Sequence, residues 1–249
     1  MSKANRRHTA TKIIFAVLIV CAALIALYLN DYYKATDEVD KYLESTETGV
    51  TVTEIADRLF IDGEGKDTAL IFYPGAKVEY TAYLPLMYEL AQGGVDVFII
   101  KMPCNLAILG ADKADDILNE YDYNRWYLGG HSLGGAIAAN YAAKQAQSED
   151  CELNGLVLLA AYPTKSLKDT NLSVLTIYGS EDTVLNMSKV EEGRAMMPQS
   201  YEEDVLSGGN HAQFGCYGAQ NGDGTAKITK EEQWSETAEL VLKMIENVR

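Results

Sequence analysis

A serine flanked by glycines stands at the centre of the stretch GHSLGG, and its type and spacing suit a nucleophile. Gly130, Ser132 and Gly134 form the pattern G-x-S-x-G. A serine hydroxyl needs a base to remove its proton, because it is a weak nucleophile near neutral pH. The pattern therefore predicts attack on a carbonyl carbon to form an acyl-enzyme, if the chain also supplies a base, an acid and an oxyanion site.

The base can be found by elimination, because the chain contains only 3 histidines. His8 precedes a long apolar run and would lie on the other side of a membrane. His131 is adjacent to Ser132, and neighbouring side chains on such a turn project apart. His211, in the stretch LSGGNHAQFG, is therefore the predicted base.

A carboxylate must fix the histidine tautomer and stabilise the imidazolium that forms. Asp182 lies in GSEDTVL, directly after the apolar run VLTIYG, at the carboxyl end of a predicted strand. Glu181 is the rival on the same loop, whereas Asp169 and Asp204 do not follow a strand end. Asp182 is the predicted acid.

An oxyanion site needs two backbone N–H donors. The first is expected from Leu133, the residue after the nucleophile. The second is expected from the loop PGAKVEY, which follows the apolar run ALIFY. Ala76 is the predicted donor by position and Lys77 is the alternative, while an ordinary Pro-Gly turn would have the same geometry.

Apolar β-rich runs alternate with helical patterns after residue 50, and a hairpin is predicted within TVTEIADRLFID. Further strands are predicted at Ala69–Tyr73, Val95–Lys101, Trp126–Leu128, Leu156–Leu159, Val174–Tyr178 and Tyr201–Leu206. Helices are predicted at Thr81–Gln92, Ala111–Tyr121, Gly134–Gln147, Ser188–Met196 and Lys230–Val248. This alternation favours a mostly parallel, doubly wound α/β sheet, whose ligands bind at the carboxyl ends of the strands.

The order Ser132, Asp182, His211 along the chain is the order of an α/β-hydrolase. Residues 50–249 resemble that family through GHSLGG, GSEDTVL and GGNHAQFG. The phrases FYPGAKVEYTAYLPL and KMPCNLAIL resemble a group of bacterial membrane-anchored α/β-hydrolases, distantly similar to dienelactone hydrolases and small serine esterases. Dienelactone hydrolases have a cysteine where this chain has Ser132, so the resemblance implies a Ser–His–Asp hydrolase and names no substrate.

Little chain is available for a lid, because only 15 positions separate Leu159 from Val174. A carboxylesterase acting on small or exposed acyl substrates is therefore expected, rather than a lipase that works at interfaces. A peptidase, thioesterase or acyltransferase would use the same acyl-enzyme, and a non-catalytic binding module is the alternative class. The glycine-rich segment Ala212–Thr229 could form a small flap, and NGDG within it is interpreted as a turn. No metal or cofactor is predicted.

The run Ile13–Leu29 is uncharged and would form a helix of about 26 Å, close to the ~30 Å hydrocarbon core of a bilayer. No small-x-small cleavage site follows it, and Val20 precedes Cys21 where a lipoprotein signal needs a small residue. We therefore predict a cytoplasmic tail over residues 1–12, a single anchor over 13–29, a stalk over 30–49 and a catalytic domain over 50–249.

Charge is distributed unevenly along the chain. The first 30 residues hold Lys3, Arg6, Arg7 and Lys12, and all 36 acidic residues come later. Because positive residues stay on the cytoplasmic side, residues 31–249 are predicted outside the cell membrane. A domain with this excess of acidic residues repels phosphate backbones. Nucleic-acid binding is therefore not expected.

The chain contains 4 cysteines, and Cys21 lies in the predicted anchor. Cys104 follows a predicted strand and Cys216 follows His211 by five positions, so both are expected at the same face of the sheet. They could form a disulfide in an oxidising compartment, and two buried free thiols are the alternative. Cys151 is expected on the opposite face.

Overall fold

A computed structural model describes residues 3–43, 49–65, 67–148 and 151–247. The chain divides into two compact units, one ending at Tyr32 and one beginning at Tyr33. We call the second unit the body. The first unit is one helix, α1 (Lys3–Asn30). Its segment Lys12–Asn30 has a mean hydropathy of 2.7 and no buried residue, so it is long and apolar enough to cross a membrane; a signal sequence can share these properties.

Residues 33–39, the central part of the stalk predicted over residues 30–49, belong to the body and pack against its other segments. We call residues 33–39 the strap. Tyr33 pairs with Val78 in a parallel β-bridge, and Val39 is only 2% exposed. The short helix α2 (Asp40–Leu43) follows. Residues 44–48 of the predicted stalk lie outside the described residues.

The body contains one sheet of eight strands in the order β1-β2-β4-β3-β5-β6-β7-β8. These strands are β1 (Thr51–Ile55), β2 (Arg58–Asp62), β3 (Thr68–Tyr73), β4 (Asp96–Ile100), β5 (Arg125–His131), β6 (Leu153–Leu159), β7 (Ser173–Gly179) and β8 (Tyr201–Leu206). The predicted hairpin is confirmed as β1 and β2, and β2 also runs antiparallel to β4. All other pairs are parallel, which confirms the predicted sheet.

The predicted helices are present with shifted ends. They are α3 (Leu84–Gln92), α4 (Ala114–Glu120), α5 (Leu133–Gln145), α6 (Met187–Arg194) and α7 (Lys230–Asn247). The helix predicted from Thr81 begins as the 3-10 turn Tyr80–Tyr83, and Pro85 then occupies the first turn of α3, where a missing N–H costs nothing. Val248, the predicted end of the last helix, lies outside the described residues.

Two apolar layers cover the sheet, one on each face. All six residues of β3 are buried, as expected for a strand with helices on both sides. Ala138, Ala139 and Ala142 bring α5 close to the sheet, because they have only a methyl group to accommodate. The parallel strands therefore end together at one rigid edge, where the predicted site residues follow them.

The connection between β6 and β7 is short. Residues 160–172, all of which the structure describes, contain no helix or strand. The expectation that no lid domain is inserted here is confirmed.

Candidate active site

The turn between β5 and α5 holds Ser132 in a strained backbone conformation. Its φ is 53° and its ψ is −123°, a region that costs a residue with a side chain about 1–3 kcal/mol. The Ser132 N–H donates to the carbonyl of Leu159 at 2.9 Å, and its carbonyl accepts from Ala136 at 3.1 Å. The neighbouring elements thus fix the sharp turn expected for a nucleophile on a strand-to-helix elbow.

Glycines allow the backbones at this turn to approach closely. A Cβ at Gly130 would lie 2.7 Å from the backbone of Gly134 and Gly135. A Cβ at Gly134 would overlap the carbonyl oxygens of Tyr73 and Pro74. The two glycines of the motif therefore serve different contacts, strand against helix at Gly130 and helix against the loop after β3 at Gly134.

The predicted acid and base form a hydrogen bond in the structure. Nδ1 of His211 lies 2.8 Å from Oδ2 of Asp182, and the two side chains are only 2% and 1% exposed. Oδ1 of Asp182 accepts the N–H groups of Val184 at 2.9 Å and Leu185 at 2.8 Å, which fixes the carboxylate plane. The rival Glu181 pairs instead with Lys227 at 2.8 Å.

The other ring nitrogen of His211 is available for proton transfer. With Nδ1–H donating to Asp182, Nε2 is an acceptor, and it has no hydrogen-bond partner among the described residues. His211 and Ser132 line the same pocket of about 230 Å³. The rest of its wall is mostly apolar and comprises Leu133, Ala136, Ala160, Ala161, Tyr162, Val184, Leu185 and Asn186.

The loop after β3 offers one unused backbone donor. The N–H of Gly75 donates to the Tyr83 hydroxyl at 3.0 Å, and the N–H of Lys77 donates to the carbonyl of Asn105 at 2.7 Å. Lys77, the alternative donor, is therefore occupied. The N–H groups of Ala76 and of Leu133 have no acceptor within the described parts of the chain, so both predicted positions keep a free donor.

The comparison with protein families decides the identity of the fold. The model of the "Alpha/beta hydrolase family" matches residues 69–235, a range that includes Ser132, Asp182 and His211. The chain belongs to the alpha/beta hydrolase family. A comparison with curated proteins found no match.

Solved structures share the α/β-hydrolase fold at low sequence identity. A predicted CIB-like hydrolase from Thermoplasma acidophilum matches with a TM-score of 0.60 and 14% identity, covering 78% of this chain and 100% of that one. Est1E from Butyrivibrio proteoclasticus matches with a TM-score of 0.57 and 13% identity over 80% and 100%. The naproxen esterase (carboxylesterase NP) from Bacillus subtilis matches with a TM-score of 0.57 and 12% identity over 83% and 95%.

Sequence reasoning missed a buried pair next to the elbow of this α/β-hydrolase. Nδ1 of His131 lies 2.8 Å from the Tyr83 hydroxyl, and the His131 ring lies 4.5 Å from the His211 ring. Burial, together with the charge that His211 can carry, lowers the pKa of His131 well below 6.5, although the backbone of His211 partly offsets this. His131 is therefore neutral at physiological pH.

The protonation of Tyr83 follows from the same environment. Burial raises the pKa of its phenol, so the hydroxyl stays protonated. It accepts the N–H of Gly75 and donates to Nδ1 of His131, and so links the loop after β3 to the turn that holds Ser132. The motif contains His131, but nothing in the sequence pairs it with Tyr83.

Replacing Tyr83 with phenylalanine is expected to lower kcat by about 10- to 100-fold with little change in KM. The substitution leaves the N–H of Gly75 without its acceptor, and the adjacent Ala76 donor loses its fixed direction. Steady-state hydrolysis of a nitrophenyl ester measures the effect. Tyr80→Phe is the matched control, because the Tyr80 hydroxyl in the same turn donates to Glu54. Equal losses in both variants would contradict the expectation.

The glycine-rich segment Ala212–Thr229 does not form a flap over the Ser132 pocket. None of its residues, all of which the structure describes, lines that pocket. It packs instead beside the acid loop, where Thr183 donates to the carbonyl of Gly222 and Asp223 accepts the N–H of Ala212. Asn221 and Gly222, the first two residues of NGDG, form a turn.

The disulfide suggested for Cys104 and Cys216 is not formed, and both thiols are free. Cys216 is buried in the body, where its sulfur lies 3.1 Å from the Thr36 hydroxyl. Cys104 is exposed in the 3-10 turn Pro103–Asn105 after β4. The sequence placed both residues at the same face of the sheet but could not show that Cys216 is buried and Cys104 exposed.

Proposed function

We propose that the protein is a serine hydrolase that cleaves an ester bond in a small acyl substrate. One observation carries the proposal: Asp182 holds His211 by Nδ1 and leaves Nε2 without a partner among the described residues, while His211 and Ser132 line the same pocket. A base needs this arrangement to take a proton from a serine hydroxyl.

In the proposed acylation, Nε2 of His211 takes the proton of Ser132 as Oγ bonds to the substrate carbonyl carbon. The carbonyl oxygen becomes an oxyanion and accepts the N–H groups of Leu133 and Ala76. Asp182 stabilises the imidazolium through Nδ1. The tetrahedral intermediate then collapses, and the alcohol leaves with the proton that Nε2 returns.

In the proposed deacylation, water replaces the alcohol. Nε2 of His211 takes a proton from the water molecule as the water oxygen attacks the acyl carbon. The same two N–H groups donate to the second oxyanion. The intermediate collapses, the proton returns to Oγ of Ser132, and the carboxylic acid leaves.

The pocket supports a small acyl group. Its volume of about 230 Å³ is below the ~300–1,000 Å³ of drug-sized ligand sites, and most of its walls are apolar. The fold likeness to the naproxen esterase supports an ester as the scissile bond. Esters of short acids are therefore the first substrates to test.

The experiment is a screen of nitrophenyl esters from acetate to dodecanoate with the full chain in detergent, together with a fluorophosphonate probe. We expect hydrolysis of the short esters and one covalent adduct, mapped by peptide mass spectrometry to Ser132. A protein that neither hydrolyses any ester nor reacts with the probe would be a non-catalytic module on this scaffold.

We also propose that α1 anchors the protein, with residues 31–249 outside the cell membrane. The mean hydropathy of 2.7 over Lys12–Asn30 supports the anchor. The basic residues before this segment support the orientation. Protease added outside intact cells that express the full chain is expected to digest the body. Protection of the body under those conditions would contradict the orientation.

A further inference from the structure

The strap is hydrogen-bonded to the loop that carries Ala76. The N–H of Tyr33 donates to the carbonyl of Lys77 at 2.7 Å, and the Tyr33 carbonyl accepts the N–H of Glu79 at 2.9 Å. The N–H of Ala35 donates to the Glu79 carboxylate at 3.0 Å. These bonds hold the residues immediately after Ala76 in a short β-like pairing.

The same strap is bonded to the segment that follows His211. The N–H of Thr36 donates to the carbonyl of Cys216 at 2.9 Å, and the Thr36 hydroxyl lies 3.1 Å from its sulfur. The Tyr33 hydroxyl accepts the N–H of Asn221 at 3.2 Å, and its ring lies 5.5 Å from that of Tyr217.

The strap is held in place at its far end as well. Val39 is buried in the core, and Glu38 forms an ion pair with Lys230 at 2.6 Å. The bonds to the two loops come from residues 33–36, so one short stretch of chain ties them together. This stretch precedes residue 69, where the match to the family model begins.

We propose that the strap is a positioning element for the active site. By binding both loops, it sets the separation between the Ala76 N–H, which would hold the oxyanion, and His211, which would move the proton. This inference rests on the proposed function for its effect on catalysis. A shift of about 1 Å between such groups can lower a rate on the order of 100-fold.

The test uses Thr36→Pro in the full chain. Thr36 has φ −81° and ψ 158°, which suit proline, so the substitution removes the N–H bond to Cys216 and is compatible with the backbone angles of residue 36 itself. Thr36→Val keeps that N–H and removes only the hydroxyl. Thr170→Val is the remote control, a half-buried threonine whose hydroxyl donates to the carbonyl of Leu167.

We expect Thr36→Pro to lower kcat per active site, titrated with the fluorophosphonate, by about 10- to 100-fold, with KM little changed. The affinity for a boronic acid that mimics the oxyanion should fall in parallel. Thr36→Val and Thr170→Val should retain most of the kcat. A merely structural role would lower the melting temperature and the titrated fraction but leave kcat per titrated site unchanged, and that result would overturn the proposal.

Amide hydrogen exchange provides a readout that does not depend on activity. Thr36→Pro should increase exchange in residues 75–79 and 211–216, and Thr170→Val should not. Unchanged exchange in both segments would overturn the proposal even if the wild type proved inactive, whereas inactivity alone would overturn only the proposed function. If Thr36→Pro does not fold, Tyr33→Phe, which removes the acceptor of the Asn221 N–H, is measured in the same way.

Discussion

Ser132→Ala is expected to lower kcat on the order of 10⁶-fold for any ester that the wild type hydrolyses. Without Oγ, no covalent bond to the acyl carbon can form, and the remaining N–H donors can only assist direct attack by water. KM should change little, because the methyl group leaves the pocket of about 230 Å³ nearly intact. Burst-phase and steady-state kinetics on a nitrophenyl ester measure the loss.

Ser180→Ala is the matched control for this substitution. Ser180 is an exposed serine that also follows a strand end, and its hydroxyl accepts the N–H of Gly208 at 2.9 Å. The control should keep the wild-type rate and the fluorophosphonate adduct. An adduct that persists in Ser132→Ala would show that another residue is the nucleophile.

Asp182→Asn is expected to lower kcat by about 10⁴-fold while the protein stays folded. The amide oxygen can still accept the N–H groups of Val184 and Leu185, which the carboxylate now holds at 2.9 and 2.8 Å. The amide NH₂ would then donate to Nδ1 of His211. That ring would carry its proton on Nε2, where it could not accept one from Ser132.

Glu181→Gln separates the acid from its neighbour. Glu181 pairs with Lys227 and not with His211. The contact with Lys227 holds the pKa of the Glu181 carboxyl below its usual range. The variant should keep nearly the wild-type kcat. If Glu181→Gln lost activity and Asp182→Asn did not, the assignment of the acid would be reversed.

The sequence could indicate which residues meet at the carboxyl edge of the sheet, because the strand ends are marked by local patterns. Each predicted residue follows a predicted strand, and parallel strands bring their carboxyl ends together. The hydrogen bond between Asp182 and His211 could therefore be anticipated from two short motifs. The end of β5 could not be predicted from the sequence, because GGH has little strand propensity. It becomes strand only through its pairing with β3 and β6.

The strap shows where sequence reasoning reached its limit. Residues 33–39 are mostly polar or charged, and they resemble a stalk when considered alone. Their role depends on partners far along the chain: the bond between Thr36 and Cys216 joins residues 180 positions apart. Half of the hydrogen bonds between the strap and the two loops join backbone N–H and carbonyl groups. Every residue except proline has both groups, so side-chain identity carries no signal of these bonds.

The exposed thiol of Cys104 makes the loop after β3, which carries Ala76, accessible to spectroscopy. The next residue, Asn105, accepts the N–H of Lys77 through its carbonyl. A fluorophore on Cys104 would therefore be attached one residue from the hydrogen bond to that loop. Cys216 is buried, and Cys151 is only partly exposed. Labelling under mild conditions would therefore favour Cys104 within the body, and the protein carries a native reporter position beside the loop after β3.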